Sequence, residues 1–183
     1  VYGDAEHYPT SEEELPRPVS PYGVTKLAAE HLGRLYWKAF EVPTVGLRYF
    51  TIFGPRQRPD MAFSRFVDAA LDERPVEIYG DGEQTRDFTY VDDCVAATIA
   101  AASTGRPGGV YNIAGGTQAS VLDVLEILGG LLGREIEREH HPAMAGDARR
   151  TGADTTSAQR DLKFAPQVSL QTGIERQLDA HRT

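Results

Sequence analysis

The sequence predicts an α/β fold, a three-layer sheet accompanied by a smaller lobe. Three observations carry that expectation. An amphipathic stretch from Tyr22 to Phe40 runs directly into VPTVGLRY, an almost wholly apolar segment at residues 42 to 49. Helix-like and strand-like periods then alternate to the end of the chain. Between them, Ser20-Pro21, Gly80-Asp81-Gly82 and Pro166 fall where helices start or chains turn.

Each element has its own reason. The opening to Pro21 is rich in Pro, Glu and Ser and reads as a loop ending at a helix start, with Ser20 as cap and Pro21 at the first helical position. Val24, Leu27, Ala28, Leu32, Leu35 and Tyr36 recur at helical spacing and predict one buried stripe on a long helix. Val42 to Tyr49 predicts a buried parallel strand, with Pro43 tolerable near its start. A loop, FGPRQRPD, precedes a helix over about 61 to 72 and a short strand at Val76 to Tyr79. Tyr90-Val91-Asp92-Asp93 leads into an apolar helix through Ala102, with Asp92 or Asp93 as cap. VYNIA at 110 to 114 reads as a strand, in which Asn112 is expected to order a turn. Ser120 caps a helix through VLDVLEILGGLL, Arg134 to Arg138 alternates as a short strand, and two closing helices cover about 155 to 162 and 170 to 180.

Bulk properties exclude several functions. The 183 residues carry a formal net charge of -8, and no basic stripe is present to neutralise a phosphate backbone, so no nucleic-acid partner is expected. No run approaches the ~18 apolar residues of a membrane span, and the acidic opening VYGDAEHYPTSEEEL is unlike a signal peptide. A cytoplasmic protein is expected. The single Cys94 excludes an internal disulfide and reads as a buried packing thiol. The five histidines show no ligand spacing with a carboxylate cluster, so no metal is expected.

Chemistry enters at Tyr22 and Lys26. Four residues apart on one helix, their side chains rise on the same face and can meet. A phenol is a poor base at neutral pH, and an ammonium group within a few ångströms stabilises the phenolate. Such a tyrosine can take a proton from an alcohol while hydride leaves the adjacent carbon. An isolated Tyr-x-x-x-Lys is common on amphipathic helices. Here it lies inside SPYGVTKLAAE, after VYG and an acidic, Pro-rich loop.

That string, with LRYFTIFGPRQRPDMAFSRFV at 47 to 67, VEIYGDGEQTRDFTYVDDCV at 76 to 95, VYNIAGG and the closing TGADTTSAQRDLKFAP, resembles the extended short-chain dehydrogenase/reductase family. The resemblance is to its nucleotide-sugar epimerases of the UDP-glucose 4-epimerase type. It implies a Rossmann-like sheet and bound NAD, with C4 epimerisation of a UDP-hexose or UDP-hexuronate through a 4-keto intermediate. Tyr22 is then the acid/base, Lys26 its partner on the nicotinamide ribose, and Phe50 a contact of the nicotinamide end. Thr51 would face the substrate, Glu77, Ile78 and Tyr79 would flank the uracil, Arg86 would hold the diphosphate, and Arg56 would approach sugar or phosphate. A homodimer through the Tyr22 helix is implied as well. Rival readings are a nucleotide-sugar 4,6-dehydratase or decarboxylase, and an inactive nucleotide-sugar-binding fragment.

The pattern departs in places. Relatives carry Asn where this chain has Thr51, and an arginine where it has Met144 of Met144-Ala145-Gly146-Asp147; Arg149 or Arg150 is the available substitute. The family's glycine-rich phosphate turn and its catalytic Ser or Thr would both precede Val1. The chain is therefore expected to be the carboxyl-terminal part of a longer enzyme, inactive in isolation. On this reading residues 1–75 are the remainder of a dinucleotide-binding unit. Residues 76–183 are mainly the nucleotide-sugar lobe, with 88–114 returning to the first sheet.

Overall fold

The computed structural model describes residues 1–144 and 148–182. Its first helix, α1 (Pro21–Phe40), starts as the sequence dictates, with the Ser20 hydroxyl accepting the Gly23 amide at 3.1 Å. It lies on one face of a parallel strand pair, β1 (Gly46–Tyr49) and β5 (Val110–Ile113), in which Leu47 stands opposite Tyr111. Strand alternation sends Gly46 and Arg48 toward α1, and Leu47 toward the opposite face. There α3 (Val91–Thr104) and α5 (Thr156–Leu162) close a small core of Cys94, Ala97, Ala101, Tyr111, Ile113, Ala158, Leu162 and Phe164. This is the helix, sheet, helix layering that the chain's alternation predicts.

A second, larger core lies around β2 (Ile52–Phe53), α2 (Ala62–Leu71), β3 (Val76–Tyr79), β4 (Thr85–Tyr90), β6 (Thr117–Ser120), α4 (Val121–Leu132), β7 (Arg138–His141) and α6 (Leu170–His181). Phe53 is its centre, stacked on Phe63 at 4.8 Å and edge-on to Phe88 and Tyr90. Gly173 of α6 passes so close that a Cβ there would stand 2.6 Å from the Phe53 ring, so only glycine fits. β4 joins β2 in parallel and β6 antiparallel, while β3 pairs with β7 in parallel, Ile78 opposite His140.

Several expectations are corrected. The α1 stripe is not buried: Gly23 is the one fully buried residue of the helix, and Val24, Leu32, Leu35 and Tyr36 are exposed. The helix is held instead through Glu30, bonded to Arg48 of β1, and through Gly33, whose carbonyl accepts the Thr44 hydroxyl just before that strand. Neither Asp92 nor Asp93 caps α3, whose cap position is Tyr90. Asp93 turns inward and accepts the amides of Gln167 and Val168 at 2.9 and 3.2 Å, fastening the segment after α5. The strand placed at 134 to 138 forms at Arg138–His141, where the chain can pair with β3. The strand expected from Val42 begins at Gly46, after Pro43. Asn112 orders no turn. It is a buried strand residue whose amide donates to the Thr10 and Asp154 carbonyls at 2.9 and 3.2 Å.

Candidate active site

Tyr22 stands one residue into α1, pointing to solvent, with 70% of its surface exposed. The Lys26 ammonium lies 5.2 Å from the centre of its ring, so the helical spacing does bring the two groups together. Among the described residues the Tyr22 hydroxyl makes no hydrogen bond, which leaves a phenol and an ammonium available side by side. Phe50 follows the carboxyl end of β1; its amide donates to the Ile113 carbonyl at 2.9 Å and its ring lies 6.2 Å from Tyr2. Thr51 comes next, its carbonyl accepting the Thr89 amide at 2.9 Å. Ligands in open parallel sheets collect at such strand ends.

The remaining expected residues form separate groups. Glu77 is exposed and paired with Arg65 across α2 and β3. Ile78 is buried in the larger core, so only its backbone is available to a ligand. Tyr79 tilts against His141 at 5.4 Å, and its carbonyl accepts the Gln84 amide at 3.0 Å. Arg86 is half-buried on β4 and donates to the Thr85 carbonyl at 2.9 Å. Arg56 sits in the loop after β2 with a left-handed backbone, φ 65°, and an exposed side chain.

The two candidate replacements for the missing arginine differ. Arg149 is committed to Asp81 at 2.7 Å and Glu83 at 3.1 Å. Arg150 lies over the Tyr8 ring at 5.1 Å and donates through Nε to Gln118 at 3.1 Å. Met144 is exposed, and Ala145, Gly146 and Asp147 lie outside the described residues.

Sequence reasoning missed two buried arrangements. Arg48 on β1 grips Glu30 of α1 with both arms, at 2.7 and 2.8 Å, and also donates to the Tyr2 hydroxyl at 2.6 Å. The signal was a lone charge within an apolar strand and an acid one turn beyond Lys26. Asp87, next to Arg86, is buried and accepts the amides of Gly116 and Ala153 at 2.9 and 3.3 Å. Burial raises its carboxyl above the usual range against the pull of those two donors. It ties the loops after β5 and before α5 to the strand that carries Arg86.

Glu6, His7 and Glu14 gather at the surface with their ligating atoms within 4.8 Å of one another, a cluster the sequence spacing did not reveal. His7 pairs with Glu14 at 2.9 Å and Arg17 with Glu6, so these groups satisfy one another without an ion. A 370 Å³ cavity at the end of α4, bounded by Leu125, Gly129, Gly133, Arg134 and Ile136, includes none of the expected site residues. A 200 Å³ recess between α2 and β3 includes Glu77. Neither holds Tyr22, whose phenol stands at the surface with the Lys26 ammonium beside it. No helix among the described residues is long and apolar enough to cross a membrane.

Known proteins resemble this chain over nearly its whole length. The model of the NAD dependent epimerase/dehydratase family matches residues 1–114, which include Tyr22, Lys26 and the β1–β5 pair. A curated relative from Bacillus subtilis, described as an uncharacterized UDP-glucose epimerase, is 41% identical over 97% of this chain and 56% of its own length. A UDP-glucuronate 4-epimerase from Thermodesulfobacterium geofontis is 38% identical over 87% of the chain and 49% of its own. The UDP-glucuronic acid 4-epimerase of Bacillus cereus, solved with UDP-glucuronic acid and NAD, superposes with a TM-score of 0.96 at 46% identity. That match covers 100% of this chain and 58% of the other, so the chain spans a little over half the length of its relatives. With a matching family model over most of its residues, an α/β architecture and the Tyr22–Lys26 pair in place, the chain belongs to the NAD dependent epimerase/dehydratase family.

Proposed function

We propose that the polypeptide carrying this chain is an NAD-dependent nucleotide-sugar 4-epimerase acting on a UDP-hexose or UDP-hexuronate, with Tyr22 as its acid/base. The observation that carries the reading is the exposed Tyr22 phenol with the Lys26 ammonium held against its ring. Such a pair fits the nicotinamide-ribose end of NAD, whose hydroxyls call for a donor and a cation at the surface. Bound NAD supplies reversible hydride acceptance at the sugar C4. Tyr22 takes the C4 hydroxyl proton and returns it, Lys26 orients the ribose, and Phe50 lies toward the nicotinamide end. Thr51 faces the sugar with Arg56, Arg86 holds the diphosphate through its planar fork, and Glu77, Ile78 and Tyr79 flank the base. The relative solved with UDP-glucuronic acid and NAD supports both ligands.

Three further readings belong with this one. Residues 1–75 are the remainder of a cofactor-side unit and residues 76–183 mainly a sugar-side lobe, with 88–114 returning to the first sheet; the parallel pairing of β5 with β1 supports that return. The exposed apolar residues Leu32, Leu35, Tyr36 and Phe40 of α1 support a homodimer through that helix. The net charge of -8 and the absence of a membrane-length helix among the described residues support a cytoplasmic enzyme without nucleic-acid partners.

The test is turnover of UDP-glucose and UDP-glucuronate by the full polypeptide with NAD. Inversion at C4 with a C4 deuterium label retained in the product is expected. Tyr22→Phe should lower the rate by roughly 10²–10⁴-fold while leaving UDP binding intact. Loss of water from the sugar would make it a dehydratase. Binding of UDP without NAD or turnover would reduce it to a binding module.

A further inference from the structure

We propose that Glu30 and Arg48 are positioning residues: their ion pair clamps the first half of α1 onto β1 and so sets where Tyr22 and Lys26 stand relative to Phe50 and Thr51. The proposal rests on the reading of Tyr22 as acid/base.

The pair is built with unusual completeness. Both Glu30 oxygens are engaged by Arg48 Nε and Nη2 at 2.8 and 2.7 Å, and the two side chains keep only 16% and 8% of their exposure. The third guanidinium nitrogen donates to the Tyr2 hydroxyl at 2.6 Å and to the Glu12 carbonyl at 3.3 Å, while the guanidinium plane covers the Tyr2 ring at 4.7 Å. The Tyr2 hydroxyl donates to the Asn112 side-chain oxygen at 2.7 Å, and the Glu12 carboxylate accepts the Asn112 backbone amide at 2.8 Å. The opening loop, α1, β1 and β5 thus meet at one guanidinium. Burial would lower the Arg48 pKa, and the oxygens of Glu30 and Tyr2 more than reverse that, raising it above its ordinary value.

Stability is a weak reason for such an arrangement, because a buried ion pair replaced by apolar side chains of like volume often folds as well or better. Geometry is a stronger one. Glu30 lies one turn beyond Lys26, and Arg48 lies two residues before Phe50, so one ion pair links the helix that carries the phenol to the strand that leads into Phe50. The far half of α1 is held independently. The Thr44 hydroxyl donates to the Gly33 carbonyl at 2.7 Å, and Trp37 lies against Gly108 so closely that a Cβ there would meet its ring at 2.4 Å. Loss of the pair therefore releases the catalytic half of the helix without undocking the rest.

The full polypeptide, with NAD and a UDP-sugar, tests this through Glu30→Gln and, as a control on the far half of α1, Thr44→Val. Glu30→Gln should lower kcat on the order of a hundredfold, since a displacement of about 1 Å can have that effect. KM should hold, and so should the pH midpoint of kcat, because Tyr22 and Lys26 travel on the same helix. Thr44→Val should lower the melting temperature and leave kcat unchanged. Unchanged kcat per folded Glu30→Gln molecule, or a moved pH midpoint, overturns the proposal. A wild-type polypeptide without turnover marks failure of the epimerase reading instead. Hydrogen exchange then decides on the clamp: Glu30→Gln should speed exchange at residues 22–30 but not at 33–40, and no change at 22–30 overturns it.

Discussion

α4 and α1 are both long helices with an apolar stripe and a serine cap, yet one is core and the other is surface. α4 buries Val124, Leu125, Leu128 and Gly129, opens with a reciprocal capping box between Ser120 and Asp123, and closes on Gly133 in the left-handed conformation. α1 buries Gly23 alone, opens on Ser20 without an acidic partner in its first turn, and closes on Glu41 at φ 57°, where a Cβ is disfavoured. Helical periodicity records that a face is suited to being covered. Where the cover comes from is a separate property, and for α1 no described element supplies it.

The largest expected effect tests this directly. Leu128→Ala removes a side chain 1% exposed in the larger core and should cost about 2–5 kcal/mol. In the monomer, at protein concentrations too low for pairing, Leu35→Ala on α1, at 53% exposure, should change stability by less than about 0.5 kcal/mol. Denaturant unfolding of the two variants of this chain measures both. Equal losses would show that the α1 face is covered in solution, and a loss at Leu35 that grows with protein concentration would identify a second copy as the cover.

What the sequence disclosed follows from the range of each interaction. Local signals were legible: the Ser20 and Ser120 caps, the extents of α1, α2 and α4, and β3 at Val76–Tyr79. So was the meeting of Tyr22 and Lys26, which depends on one helical turn. β4 and β6 were not read as strands, because TRDFTY and TQAS owe their extended form to pairing with each other across some thirty residues. Asp93 looked like a cap and became a latch for Gln167 and Val168, 74 and 75 residues away. Arg48, Glu30 and Asn112 act through partners brought together by the fold, which no spacing rule reaches.

The caps sharpen the contrast at smaller magnitude. Ser120→Ala removes the hydroxyl that accepts the Asp123 amide and keeps the backbone amide that donates to the Asp123 carboxylate, so it breaks one half of the box and should cost about 1 kcal/mol. Glu41→Gly relieves the left-handed residue after α1 and should gain roughly 0.5–1 kcal/mol. Melting curves of the two variants should therefore move in opposite directions. If Glu41→Gly destabilises, contacts of the Glu41 side chain outweigh its backbone conformation.

The smallest effect is a difference in acid response. The Ser120 amide, and then its hydroxyl, hold the Asp123 carboxyl below its ordinary value. A depressed folded-state pKa means that the capping contribution is complete above the unfolded value of about 3.9 and disappears as pH falls through the lower folded value. Buried Asp87 has the opposite sign: its raised carboxyl takes up a proton first, and that uptake favours the folded chain. Asp81, Asp154 and Asp161, the last held at about 2, titrate low like Asp123, so a global melting curve mixes all of them. Amide chemical shifts separate the two helices. As pH falls below about 3.9 the Val121 to Val124 amides should move and the Tyr22 to Thr25 amides should not, because α1 carries no carboxylate in its first turn. Asp123→Asn should abolish the movement in α4. Parallel movement in both helices would mean that acid acts on the fold as a whole and that the capping box has no titration of its own.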